Sequence, residues 1–203
     1  MQNTINSWDD VTLDIARKIQ QIQGDVIDRD VQLVSLVYGI DIDDVWKMSI
    51  PEMATYTNKL GWIYETPETK DLDEIIFMGE RFVPCLTPDE ISYAQYVDYQ
   101  SYIKETDKYR GEIIASMFKP EKGEYNKGYN MKAFVEHIYQ TVTLPEFRGF
   151  FLLWQTRLTS STDNSLTWLK WLRMTQPRRM RKQMDSLMRE VRTLLYGLGL
   201  SNQ

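Results

Sequence analysis

The chain has 203 residues, of which 42% are hydrophobic and 26% charged, and this composition excludes a disordered polymer. Its single cysteine, Cys85, excludes an intrachain disulfide framework, and its longest strongly apolar run, Phe150–Trp154, is too short to cross a bilayer. The first residues have neither the basic nor the apolar region of a signal peptide. We therefore expect a cytoplasmic protein without a transmembrane segment.

Charge is divided unevenly along the chain. The last 38 residues, 166–203, carry eight Lys or Arg and two Asp or Glu, a net charge of +6. The 165 residues before them carry 16 and 27, a net charge of −11. This division predicts an acidic body and a basic C-terminal arm that contacts a partner.

Helix-start signals recur near the N-terminus. Ser7 with Asp10 predicts a first helix, and Asp28 or Asp30 can cap a second one that ends at Gly39. Ser, Asp and Asn favour such positions because their side chains accept hydrogen bonds from the unpaired N–H groups of the first turn.

Two further helices are predicted before the middle of the chain. The first is a short helix around residues 43–48. Ser49 and Glu52 then form a capping box around Pro51, followed by apolar residues at helical spacing until Gly61.

A β-hairpin is predicted near residues 74–86. Gly79-Glu80 has the composition of a two-residue turn with glycine first. Pro84 cannot donate a backbone hydrogen bond, so we expect the second strand to lie at the edge of the sheet.

Tyrosines dominate the helix predicted from Pro88 to about Glu105. We interpret their stripe as a core-packing face, with an exposed docking surface as the alternative. Its members are Tyr93, Tyr96, Tyr99 and Tyr102. Residues 107–118 are predicted as the next helix, followed by a polar loop over residues 119–130 whose Gly–Lys spacing does not match a phosphate-binding loop.

The last helices of the body have clear start signals. Asn130 can cap one helix, and Thr143 with Glu146 forms a capping box for the next. An apolar stripe at i, i+3, i+4 and i+7 follows in that last helix: Phe147, Phe150, Phe151 and Trp154.

Together these signals predict a mainly α-helical, α+β fold with one small antiparallel hairpin. We expect a compact helical body over residues 1–158, a polar linker over 159–165 and an amphipathic helical arm over 166–203. The arm combines aromatic, cationic and apolar side chains that can meet a partner protein or a second copy, so we expect a homo-oligomer. The predicted partner-binding residues are Trp168, Trp171, Arg178, Arg181, Met184, Leu187, Val191 and Leu194.

Catalytic and metal-binding patterns are missing from the sequence. His137 is the single histidine, and neither it nor Cys85 stands in a nucleophile or base motif. Asp41, Asp43 and Asp44 lack the glycine and the terminal glutamate of a calcium loop, so we interpret them as charges at a helix start. We therefore predict a non-enzymatic protein without a cofactor or a metal.

A family resemblance begins at Asp30–Ile63. This segment reads as an apolar helix, Gly-Ile, an acidic pair, an apolar turn, Ser-x-Pro-Glu and a second helix. It resembles the early part of bacteriophage tail assembly chaperones, where a helix leads to G-[LI]-x-x-[ED]-[ED]-[VI]. The resemblance continues through IIFMGERFVPCL and LTPDEISYAQYVDYQSYIKE and covers roughly residues 7–154. It implies that the chain binds apolar segments of the tape measure protein in the infected bacterial host and keeps them soluble until the tail tube forms around them.

The alternative is a structural virion component, a head–tail connector or ring protein whose arm contacts neighbouring subunits. A connector is present in purified particles, whereas a chaperone is absent from them. Nucleic-acid binding through the arm is a weaker alternative, because the sequence pI of about 5.0 opposes it. An interfacial membrane helix is another, because Trp-Leu-Lys-Trp-Leu in the arm resembles such segments.

Overall fold

A computed structural model describes residues 5–160, with backbone alone at residues 88 and 155–160. Within these residues the fold is mainly helical with one small antiparallel sheet, which confirms the predicted fold class. The elements are α1 Leu13–Gln21, α2 Val26–Tyr38, α3 Ile42–Trp46, α4 Ile50–Lys59, β1 Ile75–Phe77, β2 Glu80–Pro84, α5 Tyr93–Tyr102, α6 Arg110–Met117, β3 Phe118–Pro120, α7 Met131–Thr141 and α8 Leu144–Ser160. Short 3₁₀ turns occupy Trp8–Asp10, Gly61–Tyr64, Pro88–Glu90 and Ile103–Glu105.

The C-terminal boundary falls within α8. A first compact unit extends to Trp154, and a second begins at Gln155. Because α8 continues through Ser160, the first two residues of the predicted linker are helical. The rest of the linker and the whole arm, 166–203, lie outside the described residues.

The first helix begins later than Ser7 and Asp10 predict. Ser7 caps only the 3₁₀ turn, whereas Thr12 accepts the hydrogen bond from the N–H of Ile15 that starts α1. The reason is tertiary, since Val11 is extended and its carbonyl accepts from the N–H of Leu144 at 2.9 Å. This short bridge to the start of α8 holds the chain out of the helical conformation.

The caps of α2, α3 and α4 are local. Asp25, rather than the predicted Asp28 or Asp30, caps α2 and accepts from the N–H of Asp28 at 2.9 Å. Asp41 caps α3 in the same way. The capping box of Ser49 and Glu52 is present at the start of α4, as predicted.

The hairpin turn lies one residue earlier than predicted. Met78 and Gly79 both have positive φ, 51° and 78°, and Phe77 pairs with Glu80 across the turn. Positive φ at both central residues is the type I′ arrangement, whose twist matches the right-handed twist of the flanking strands.

Pro84 lies in the central strand of a three-stranded sheet, so the expectation of an edge strand is wrong. The strand order is β1-β2-β3, and Pro84 pairs with Phe118 of β3. The N–H of Cys85 donates to Met117 at 2.8 Å, so the nitrogen of Pro84 faces the opposite side. The pairing between β1 and β2 ends where Ile75 faces Phe82, before Pro84 is reached. The N–H group that Pro84 lacks would therefore have had no partner in β1, and its absence removes no hydrogen bond from the sheet.

The second half of the chain also differs in its helix starts. The Pro88–Glu90 turn is not continued, and α5 begins at Tyr93 under a capping box of Ser92 and Gln95. Residues 118–120, predicted as the end of a helix and the start of a loop, form β3 instead. Asn130 caps α7 as predicted.

Two groups of apolar side chains form the core. One lies around α1 and α2 and contains Val11, Val34 and Val37. The other is aromatic: Phe82 is fully buried and stacks on Phe134 with ring centroids 4.2 Å apart. Among residues 5–160, no helix is long and apolar enough to cross a membrane.

Candidate interaction surface

The predicted partner-binding residues all belong to the arm and lie outside the described residues, so the structure places none of them. They are Trp168, Trp171, Arg178, Arg181, Met184, Leu187, Val191 and Leu194. Within the body, the tyrosine stripe of α5 is buried only in part. Tyr99 is 6% exposed and lies against Trp154, with ring centroids 4.4 Å apart, whereas Tyr93 is 46% exposed.

Cys85 and His137 each have structural contacts. Cys85 is fully buried, the amide of Gln95 donates to its Sγ at 3.4 Å, and burial raises the pKa of the thiol. His137 lies with Nε2 2.8 Å from the carbonyl oxygen of Ile76 and with its ring beside Phe77. A raised pKa suppresses the thiolate that a cysteine nucleophile needs. Across residues 5–160, no group of three or more His, Cys, Asp or Glu side chains is placed to hold a metal ion.

A groove lies between α2, α3 and α4. It has a volume of about 290 Å³. Seven of its eight lining residues are apolar, and the eighth is an aspartate: Ile27, Asp30, Val31, Val45, Trp46, Met48, Ile50 and Met53. We refer to these eight residues as the α2–α4 groove.

Helical spacing explains how the groove forms. Ile27, Asp30 and Val31 stand at i, i+3 and i+4 on α2, so their side chains share one face of that helix. Ile50 and Met53 stand at i and i+3 in the first turn of α4. The short helix α3 brings Val45 and Trp46 between these two faces, and together the three helices enclose an apolar depression.

The groove has a buried floor and exposed walls. Val31 and Val45 are each 3% exposed and form the floor. Ile27 is 64% exposed, Trp46 54% and Ile50 88%. Isolated exposed apolar residues are ordinary, but large ones grouped around a depression mark a site of interaction with another molecule.

Methionines give the groove an adaptable lining. Met48 and Met53 are both half-buried beside the exposed Trp46. An unbranched thioether chain changes rotamer at little cost and fills irregular gaps, so such surfaces accommodate apolar ligands of differing shape. This lining is suited to binding side chains and has no array of polar groups that would orient a small substrate.

The chain around the groove is acidic. Residues 25–52 contain seven Asp or Glu and two Lys or Arg, a net charge of −5. Lys47 forms an ion pair with Asp44 at 2.9 Å. The N-terminal ends of α2 and α4 oppose this charge, but each supplies only about half a positive charge, whereas Asp25, Asp28, Asp30 and Glu52 supply four negative ones. The segment that forms the groove therefore carries a net negative charge.

Sequence reasoning missed this groove. The prediction gave no role to Val26 and Ile27, although Ile27 stands seven residues before the buried Val34 and therefore on the same face of α2. The available signal was local: these two apolar residues directly follow a cap, and Ile50 stands exposed beside Pro51 at the start of another helix. Neither signal shows that the two helix starts lie near each other.

Comparison of the chain with protein-family models, with curated proteins and with solved structures finds no match. The case for function therefore depends on the residues and their geometry.

Proposed function

We propose that the chain is a non-enzymatic phage morphogenesis protein of the tail-assembly-chaperone type. In this proposal it acts in the cytoplasm of the infected host, and the α2–α4 groove binds apolar segments of the tape measure protein. The observation that carries the proposal is the apolar groove itself, which is lined by two methionines and by large apolar side chains that are exposed.

The position of the groove agrees with the family resemblance. Seven of its eight residues fall within Asp30–Ile63, the segment in which the resemblance to tail assembly chaperones begins, and Ile27 lies three residues before that segment. The segment that carries the start of the resemblance therefore also supplies most of the lining of the groove.

The size and lining of the groove fit the anchor side chains of a helical ligand. An amphipathic helix that lies in a groove presents side chains at i, i+3, i+4 and i+7, and a volume of about 290 Å³ accepts only a few such side chains. The resemblance implies apolar segments of a tape measure protein that need cover before the tail tube encloses them. We expect the arm residues to add self-association to this activity.

The proposal is tested by co-expression with the tape measure protein of the same phage. We expect the wild-type chain to raise the soluble fraction of the tape measure protein, and the Ile27→Asp, Ile50→Asp double variant to lose this effect. Both substitutions stand at exposed positions in the first turns of helices, where a carboxylate is tolerated.

Met78→Asp is the matched control. Met78 is 87% exposed, close to the 88% of Ile50, but it lies in the hairpin turn rather than in the groove. Its positive φ is one that Asp adopts more readily than most residues. A Met78→Asp variant that loses activity as completely as the groove variant contradicts a specific role for the groove. Detection of the chain in purified particles at a fixed copy number contradicts the chaperone function and favours the virion component.

A further inference from the structure

Asp30 is the one charged side chain among the eight residues of the α2–α4 groove. It is half-buried on α2, one residue before the buried Val31 and three residues after the exposed Ile27. A carboxylate at the edge of an apolar groove is partly removed from water, so a ligand that covers the groove must either supply a cation or leave the charge unpaired.

Other acidic side chains near the groove add to the negative charge of Asp30. Asp25 and Asp28 lie at the start of the same helix, and Asp43 lies in the first turn of α3. Arg29 and Lys47 offset part of this charge, and Lys47 is already paired with Asp44. The residues that border the groove therefore attract cations over a distance comparable to the screening length, about 8 Å at physiological salt.

We infer that the α2–α4 groove selects amphipathic helical segments that carry Lys or Arg beside their apolar anchors, and that Asp30 is the specificity-determining residue. This inference rests on the proposed function, because it names the class of segment that the groove accepts. The apolar side chains supply most of the affinity through burial, and the charge decides which apolar segments are bound.

The test uses the full-length chain and two synthetic helical peptides. Both peptides carry leucines at i, i+3, i+4 and i+7, and they differ only in flanking residues that are all Lys in one and all Glu in the other. Isothermal titration calorimetry should show the Lys peptide binding about fivefold more tightly, since each partly exposed charge pair contributes little. In about 1 M salt, where the screening length is near 3 Å, the two affinities should converge.

Asp30→Asn identifies the residue responsible. We expect this variant to bind the Lys peptide more weakly and to bring the affinity ratio down to about twofold, with the remainder due to the neighbouring acidic residues. Asp89→Asn is the control, because it removes one negative charge from a residue outside the groove and should leave the ratio unchanged. A similar fall in the affinity ratio in Asp89→Asn would show that the net charge of the chain, rather than Asp30, determines the preference for the Lys peptide.

Other outcomes overturn the inference. Equal affinities for the two peptides, or tighter binding of the Glu peptide, would show that the groove does not select for cations, while solubilisation of the tape measure protein would still hold. Lack of binding by both peptides would remove the groove as a helix-binding site. If sedimentation shows self-association that Ile50→Asp abolishes, and neither peptide competes with it, the occupant is a second copy of the chain.

Discussion

Helices α2–α4 and the sheet with α6–α8 use their apolar side chains in different ways. In the sheet region, Phe82, Phe118 and Phe134 are completely buried. In α2–α4, Trp46 and Ile50 are more than half exposed. The first arrangement stabilises the fold, and the second leaves apolar surface available to another molecule.

The difference arises from how many neighbours each element has. Strand β2 is paired on both sides, by β1 and β3, and its Phe82 stacks on Phe134 of α7. Every residue of α4 is at least partly exposed, and a capping box rather than burial defines its start. An element fixed by local hydrogen bonds can keep apolar residues exposed without losing its conformation.

The strongest test of this comparison is Phe82→Ala. The substitution leaves a cavity beside Phe134, and we expect the free energy of unfolding to fall by about 3–5 kcal/mol. Urea unfolding followed by circular dichroism measures this loss. Trp46→Ala removes an even larger side chain, but one that is 54% exposed, and should cost well under half as much. Equal losses for the two variants would show that the groove residues belong to the core.

Gly149→Ala should have the next largest effect. A Cβ at this position would collide with the backbone carbonyl of Lys70, and the Lys70 N–H donates to Pro145 of the same helix at 3.0 Å. Because the neighbour is backbone and is held in place, it cannot move aside cheaply. The gain in helix propensity, about 1 kcal/mol, is smaller than the cost of overpacking, and we expect a net loss of about 2 kcal/mol.

Gly61→Ala is the control for that substitution. A Cβ at Gly61 meets open space, so the change should alter the free energy of unfolding by less than about 1 kcal/mol. Thermal unfolding of the two variants side by side separates close packing from a general effect of replacing glycine. A neutral Gly149→Ala would show that the 65–73 segment does not pack tightly on α8.

The sequence predicted the elements whose start signals are entirely local. The capping boxes of Ser49 with Glu52 and of Thr143 with Glu146 are both present, because each needs only residues three apart. The prediction failed where a distant segment decides the conformation. Val11 is extended because it bridges to the start of α8. Pro84 lies in a central strand because β3, more than thirty residues later, pairs with β2 on the side away from the proline nitrogen.

The groove was less predictable than the fold for a similar reason. Its residues come from three helices, and the periodicity of each helix reveals only which face packs inward. Ile27 and Ile50 looked like isolated exposed residues, which are common and carry no information alone. They form a groove only because α2 and α4 lie close together on either side of α3, and a sequence pattern does not specify how these helices pack. The arm residues were identified from charge and periodicity, and their role stays a prediction.

A smaller effect is expected from Asp14→Asn. Burial alone raises the pKa of Asp14, but hydrogen bonds and charges from Lys18 and Arg17 outweigh it and hold the pKa below its usual value of 3.8. A lowered folded-state pKa means that the carboxylate stabilises the fold above the usual pKa, and that this contribution is lost as the pH falls through the lowered one. Since both partners are about half exposed, we expect less than about 1 kcal/mol at neutral pH.

Thermal unfolding at successively lower pH checks this expectation. The difference between wild type and Asp14→Asn should shrink as Asp14 becomes protonated, because the two side chains are then both uncharged. A wild type that gains stability relative to Asp14→Asn as the pH falls would mean that the pKa is raised rather than lowered.

The smallest effect on stability is expected for the groove variant itself. Ile27→Asp, Ile50→Asp should change the free energy of unfolding by no more than about 0.5 kcal/mol, because both side chains are more than 60% exposed. Both positions also lie in first turns, where the helix dipole favours a carboxylate. This near-zero change is what makes the variant informative: lost solubilisation of the tape measure protein can then be attributed to lost binding. A destabilisation above about 2 kcal/mol would instead assign these residues to the core. The apolar side chains of α2–α4 would then not differ in role from those of the sheet region.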